Sequence, residues 1–266
     1  MTDPSRTGSP QAAAPQAASP QPLPFRTAVV TGAGRGFGRA IAAALVAAGA
    51  DVVGIARSGP ELAAVREELG PAFTPVTADA ADEALARDVI RAHRPGLLVL
   101  NAGATPHLAP LPEQTWETFS RNWHVDTRHV FGWTRAALRA PLAPGSTVVA
   151  MSSGAALGGS PLTGGYAAAK AAVRHLRAYA ADESERAGLG IRFTALLPQL
   201  TPTGGVGAAG VTGYAARQGL DRDAFVDRLR PVLTPEQVAG AVLELALHPD
   251  RAPEYRVAAT GMSAVA

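Results

Sequence analysis

The chain has 266 residues, 24 basic against 22 acidic for a net charge of +2, with 47% hydrophobic and 5% aromatic content. That length suits one large α/β domain or two small ones and can bury a full core; the composition excludes collagen, a coiled coil and a fully disordered chain. Cys is absent, which excludes disulfides, thiolate nucleophiles and Cys-based metal sites, and no apolar run reaches the ~18 residues of a membrane span.

The N-terminus carries Asp3 and no apolar stretch of the secretory kind, and clusters of Lys or Arg are few. The expectation is a cytoplasmic protein with neither nucleic-acid nor membrane partners. Residues 1–24 are mostly Ala, Pro, Gln, Ser and Gly, with Pro at 4, 10, 15, 20, 22 and 24. Such a segment buries too little apolar surface to order itself, so it reads as a disordered tail before a single domain over 25–266.

From Phe25 short β-branched runs alternate with Ala-, Leu- and Arg-rich segments of helical spacing. Strands are expected at Thr27–Thr31, Asp51–Ile55, Phe73–Thr77, Leu97–Asn101, Thr147–Ser152, Ile191–Leu197 and Arg256–Ala259. Helices are expected near 36–49, 60–69, 82–93, 113–140, 165–187 and 235–247. The last opens Thr234-Pro235-Glu236-Gln237, an N-cap Thr, a Pro at the first helical position and a Gln three residues after the cap. Alternating βα units with apolar strands imply a parallel sheet covered on both faces, a doubly wound α/β fold. Pro75 places the third strand at an edge, because Pro cannot donate to a ladder. The Gly- and Ala-rich stretch from Thr201 to Gly219 reads as a mobile loop over the substrate.

After the first strand comes Thr31-Gly32-Ala33-Gly34-Arg35-Gly36-Phe37-Gly38, then helix. Glycines permit a tight turn and close approach to phosphate, and the helix N-terminus adds free N–H groups and a positive dipole end. A Walker-type loop is excluded, since no Gly-Lys-Ser/Thr follows. Lys occurs once in the chain, at Lys170, so the other 23 basic residues are Arg. Position 170 therefore asks for a compact amine rather than a guanidinium, or has escaped a general bias toward Arg.

The spacing Thr-Gly-x-x-x-Gly-x-Gly resembles the short-chain dehydrogenase/reductase family. Asp79 after the third strand, Asn101-Ala102-Gly103 after the fourth, Ser153 after the fifth, then Tyr166 and Lys170 follow in that family's order, from about Phe25 to Pro198. The resemblance implies a Rossmann-like fold that holds a nicotinamide dinucleotide on Gly32, Arg35, Gly36, Phe37, Gly38, Asp79, Asn101, Ala102, Gly103, Tyr166 and Lys170. Asp79 would contact the adenine and Lys170 the nicotinamide ribose. Members specific for NAD tend to carry an Asp where this chain has Ala56. Here Arg57 follows at once and Arg35 sits in the turn, so two guanidinium groups are placed to pair with a 2′-phosphate, and NADP(H) is the expected cofactor.

Tyr166 and Lys170 share a helical face one turn apart, and Ser153 ends a parallel strand, where such sheets place ligands. Free Tyr has a pKa of about 10, and a neighbouring ammonium favours its ionised form, which suits general acid–base work. Tyr166 would then donate a proton to a carbonyl oxygen that Ser153 holds. Two positions depart from the family: Asp126 stands in Val125-Asp126 where an Asn is usual, and Gln199 follows Pro198 where a Gly is usual. Asp126 either serves in place of Asn or pairs with Lys170, and Asn122, one turn earlier, is an alternative. The six His show no metal-ligand spacing, so no catalytic metal is expected. The expected activity is transfer of a hydride between NADP(H) and a ketone or secondary alcohol, and the resemblance implies a homo-oligomer, a homotetramer that pairs the long helices near 113–140 and 165–187. A lyase, isomerase or cyclase on the same fold and a nucleotide-sensing protein without turnover remain alternatives.

Overall fold

The computed structural model describes residues 22–248 and 252–265; most of the tail expected over 1–24 lies outside them. Leu23 and Phe25 pack against the core. The strands are β1 (Thr27–Thr31), β2 (Asp51–Ala56), β3 (Phe73–Thr77), β4 (Leu97–Leu100), β5 (Thr147–Met151), β6 (Arg192–Pro198), β7 (Glu254–Ala258) and β8 (Gly261–Ala264). They form one sheet in the order β3-β2-β1-β4-β5-β6-β7-β8. Every pairing is parallel except β7 with β8. Pro75 lies on the edge strand β3, as its missing N–H requires.

The helices are α1 (Gly36–Ala47), α2 (Gly59–Leu69), α3 (Glu83–His93), α4 (Trp116–Asn122), α5 (Arg128–Arg139), α6 (Ala155–Gly158), α7 (Gly164–Arg186), α8 (Gly205–Arg217), α9 (Arg222–Arg228) and α10 (Pro235–Leu247). The starts of α2, α3, α4, α9 and α10 are capped by side chains. Asp82 accepts from the Ala84 N–H at 2.8 Å, and Thr234 and Gln237 bond each other's backbone at 3.3 and 2.9 Å.

The two-residue period of the strands divides one run between two cores. Ala28 and Val30 of β1 face α1, α2 and α10, beside Ile41, Leu62 and Val242. Val29 faces α3, α5 and α7, beside Val89, Trp133 and Val173. Each such Val, Leu or Ile contributes about 1.5–3 kcal/mol by leaving water. The chain reverses its winding between β1 and β4, which opens a crevice at the carboxyl ends of the strands.

Three sequence expectations need correction. The helix expected over 113–140 is α4 and α5 joined by a π-helical turn at Trp123–Thr127. The stretch expected to be a mobile loop over 201–219 is largely α8, because packing outweighs the poor helix propensity of its glycines. The antiparallel β8 was not foreseen; Gly261-Met262-Ser263-Ala264 has weak strand propensity and forms by completing the sheet beside β7.

Candidate active site

The crevice is a cleft of about 960 Å³ lined by the glycine turn, the ends of β2, β4 and β5, the start of α7 and the inner face of α8. At one end, Gly32 and Gly36 hold left-handed backbone at φ 68 and 54. A Cβ at Gly36 would meet nothing within 4 Å, so that side of the turn is open. Arg35, the residue before α1, makes no side-chain cap, which leaves the first amides of a twelve-residue helix free for an anion. Thr31 and Asn101 brace this turn. Thr31 Oγ1 accepts from the N–H of Asn101 and Ala102 at 2.9 and 3.0 Å, and Asn101 Nδ2 donates to the Thr31 carbonyl at 3.0 Å. Asn101 is thus a clamp between the ends of β1 and β4 as well as a cleft residue.

Arg35, Arg57 and Asp79 are exposed along the same end. Sequence reasoning missed Glu61 of α2, whose Oε1 lies 3.6 Å from Arg35 Nη1. No local pattern marks it, because it reaches the cleft only through the packing of α2 beside β2.

At the other end Ser153, Tyr166 and Lys170 come together as the spacing implies. Lys170 is 5% exposed, and its Nζ donates to the Met151 carbonyl at 3.0 Å and lies 5.6 Å from the Tyr166 ring centre. Ser153 Oγ accepts from the Ala155 N–H at 3.2 Å, so its own proton remains available. The π turn brings Asp126 to the floor of the cleft, where its Oδ2 sits 3.1 Å from Lys170 Nζ. Its Oδ1 accepts from the Ala104 N–H at 2.8 Å. Asn122 does not replace Asp126 but joins it, donating to the Ala104 carbonyl at 2.8 Å. Burial pulls the Lys170 pKa down, but the Asp126 carboxylate and Tyr166 outweigh it, and the amine stays above its ordinary value as an ammonium.

His129 is the second residue that sequence reasoning did not assign. It stands at the start of α5, is 1% exposed and lines the cleft, with no hydrogen-bond partner at either ring nitrogen. Burial, then the Lys170 charge, push its pKa down to about 3, against weaker opposition from Asp126 and the Ala102 backbone. The folded chain therefore keeps His129 neutral while the unfolded chain protonates it below about pH 6.5. Stability is lost as pH falls through that window, by up to ~1.4 kcal/mol per pH unit from this group. His129→Leu is expected to flatten the fall in denaturation midpoint between pH 7 and 5; an unchanged slope would assign the acid sensitivity elsewhere.

Among the described residues no group of three or more His, Asp or Glu is placed to hold a metal ion, and no helix is long and apolar enough to cross a membrane.

Residues 26–210 match the short chain dehydrogenase family, and the chain belongs to it. It is 35% identical over 120 residues to D-erythrulose reductase of Gallus gallus, covering 45% of this chain and 48% of that protein. It is 35% identical over 178 residues to sorbitol dehydrogenase of Cereibacter sphaeroides, covering 64% and 69%. It is 33% identical to carbonyl reductase [NADPH] 2 of Sus scrofa, covering 46% and 50%. The matched stretch thus spans about half the length of most of these curated relatives. A 3-ketoacyl-(acyl-carrier-protein) reductase from Brucella melitensis, solved with NADH, shares the fold at a TM-score of 0.71 and 24% identity, over 87% of this chain and 95% of that one.

Proposed function

We propose that the chain is an NADP(H)-dependent carbonyl reductase or alcohol dehydrogenase whose general acid–base is Tyr166. The observation that carries this reading is the buried Lys170 ammonium beside the Tyr166 ring, in a cleft shared with Ser153 and the glycine turn. The names of the relatives, an erythrulose reductase and a carbonyl reductase, agree with it.

The residues fit a dinucleotide. The open side of Gly36 and the uncapped start of α1, with Gly32, Phe37 and Gly38, suit a pyrophosphate. Asp79 would hold the adenine, and Asn101, Ala102, Gly103, Tyr166 and Lys170 the nicotinamide ribose. When bound, the cofactor supplies or takes the hydride. Ser153 then orients the substrate oxygen by donating to it, and Tyr166 gives that oxygen a proton during reduction or takes it back during oxidation. Lys170 stabilises the phenolate that remains.

Arg57 and Arg35 favour a 2′-phosphate; Glu61 beside Arg35 is the feature that favours NAD instead. Titration of both cofactors is expected to give tighter binding of NADPH, and Arg35→Ala with Arg57→Ala is expected to remove the difference. Equal wild-type affinities would return the preference to Glu61. A panel of ketones followed by NADPH absorbance tests the reaction itself.

The exposed aromatics support self-association. Trp116, Trp123, Phe131 and Tyr179 are 77%, 52%, 45% and 63% exposed on α4, the π turn, α5 and α7, the helices expected to pair between subunits. Light scattering is expected to give a multiple of the 266-residue mass, a tetramer; a monomer at micromolar concentration would refute it.

A further inference from the structure

The roof of the cleft is built apart from the rest of the fold. Val211, Ala215 and Phe225 of α8 and α9, with Leu200, Tyr214 and Leu229, form a small apolar cluster separate from the two on either face of the sheet. Gly207, Gly210 and Gly213 recur every third residue along α8, and each costs about 1 kcal/mol of helix stability against Ala. Two of them have a steric reason. A Cβ on Gly207 would lie 2.1 Å from the Thr201 carbonyl oxygen, and one on Gly213 would lie 2.7 Å from Leu108 Cδ2. The helix is therefore drawn close over the cleft, where Gly207, Gly210 and Tyr214 line it.

Tyr214 makes the polar connection. Its hydroxyl is hydrogen-bonded to Ser160 Oγ and lies 3.4 Å from Thr163 Oγ1. Thr163 donates twice to the same Ser160 oxygen, from its N–H at 2.9 Å and its O–H at 2.7 Å. Two donors fill both lone pairs of Ser160, so Ser160 must give its own proton to Tyr214. The Tyr214 proton is then left with only the long contact to Thr163. Thr163 immediately precedes α7 and stands one turn before Tyr166, ~5 Å along the axis. A hydrogen-bond donor with no good partner thus belongs to a residue that lines the same cleft as Thr163, Tyr166 and Ser153.

We propose that the Tyr214 hydroxyl is a specificity-determining anchor that donates to a second oxygen on the substrate. The substrate class it selects is a ketone with a second oxygen, such as a hydroxyketone, or the corresponding diol in the reverse direction. This rests on the carbonyl-reductase reading and names its substrate class. A site that hydrogen-bonds a substrate hydroxyl discriminates against the analogue lacking it, because the site's polar group is left unpaired.

Tyr214→Phe keeps the ring that stacks on Phe225 at 6.4 Å and removes only the hydroxyl. The test compares wild type and variant on two four-carbon ketones, one with a hydroxyl beside the carbonyl and one without. Calorimetric binding to the NADPH-loaded chain is measured alongside kcat/KM. The expected result is a loss of at least ~10-fold for the hydroxyketone in both measurements, with less than ~3-fold change for the plain ketone. An equal loss for both would show that Tyr214 merely props α8, and no loss for either would remove it from recognition; each overturns the proposal. If the wild type binds with the expected discrimination but turns neither over, the reductase reading fails and the anchor stands.

Discussion

Tyr166→Phe is expected to lower turnover by about 10³-fold while the melting temperature stays nearly unchanged. A positioned general acid contributes about 10²–10⁴-fold, and Phe keeps the ring while removing the proton. Tyr166 is half-buried at the start of α7, and no hydrogen bond to its hydroxyl is lost among the described residues. Cofactor affinity should fall much less than turnover, since the glycine turn and the Arg side chains lie at the other end of the cleft. A Phe variant within ~3-fold of wild type would remove Tyr166 from the chemistry.

Lys170→Arg is expected to lose at least ~10-fold in turnover. In a chain with 23 Arg the substitution looks mild, but the geometry argues otherwise. The ammonium fits between the Met151 carbonyl at 3.0 Å and Asp126 Oδ2 at 3.1 Å, nearly out of solvent. A planar guanidinium cannot occupy that point without displacing Asp126 or Tyr166, and a misplacement of ~1 Å at a reacting centre can cost ~100-fold. Lys170→Met separates the structural part. It leaves the Asp126 carboxylate buried without its partner, a loss of about 3–5 kcal/mol. The comparison is turnover against denaturation midpoint for both variants. Wild-type turnover in Lys170→Arg would reduce the single Lys to an accident of composition.

The parts of this protein that were legible in its sequence are those that local chemistry dictates. Strand periodicity, the caps of α10 and the glycine turn follow from single residues and near neighbours, and Pro75 identified the edge. The ordered motifs through Lys170 single out Ser153, Tyr166 and the glycine turn, all of which line one cleft. What escaped depends on contacts distant in sequence. The π turn at Trp123–Thr127 was not foretold by ordinary helical spacing, although the pairing of Asp126 with Lys170 that it carries was one of the two readings of that residue. α8 reads as a loop because its glycines disfavour helix, and only the close approach to Thr201 and Leu108 explains them. Glu61 and His129 carry no motif at all; they reach the cleft because α2 and α5 pack where they do.

In the proposed reaction this cleft moves a hydride and a proton onto a carbonyl. The most direct measurement is the stoichiometry of a single turnover, with the chain, NADPH and a ketone mixed and both cofactor and product quantified. One NADPH oxidised for each alcohol formed is expected, with wild type fast and Tyr166→Phe slow. Substrate converted with no net oxidation of NADPH would contradict it and point to lyase, isomerase or cyclase chemistry on this fold.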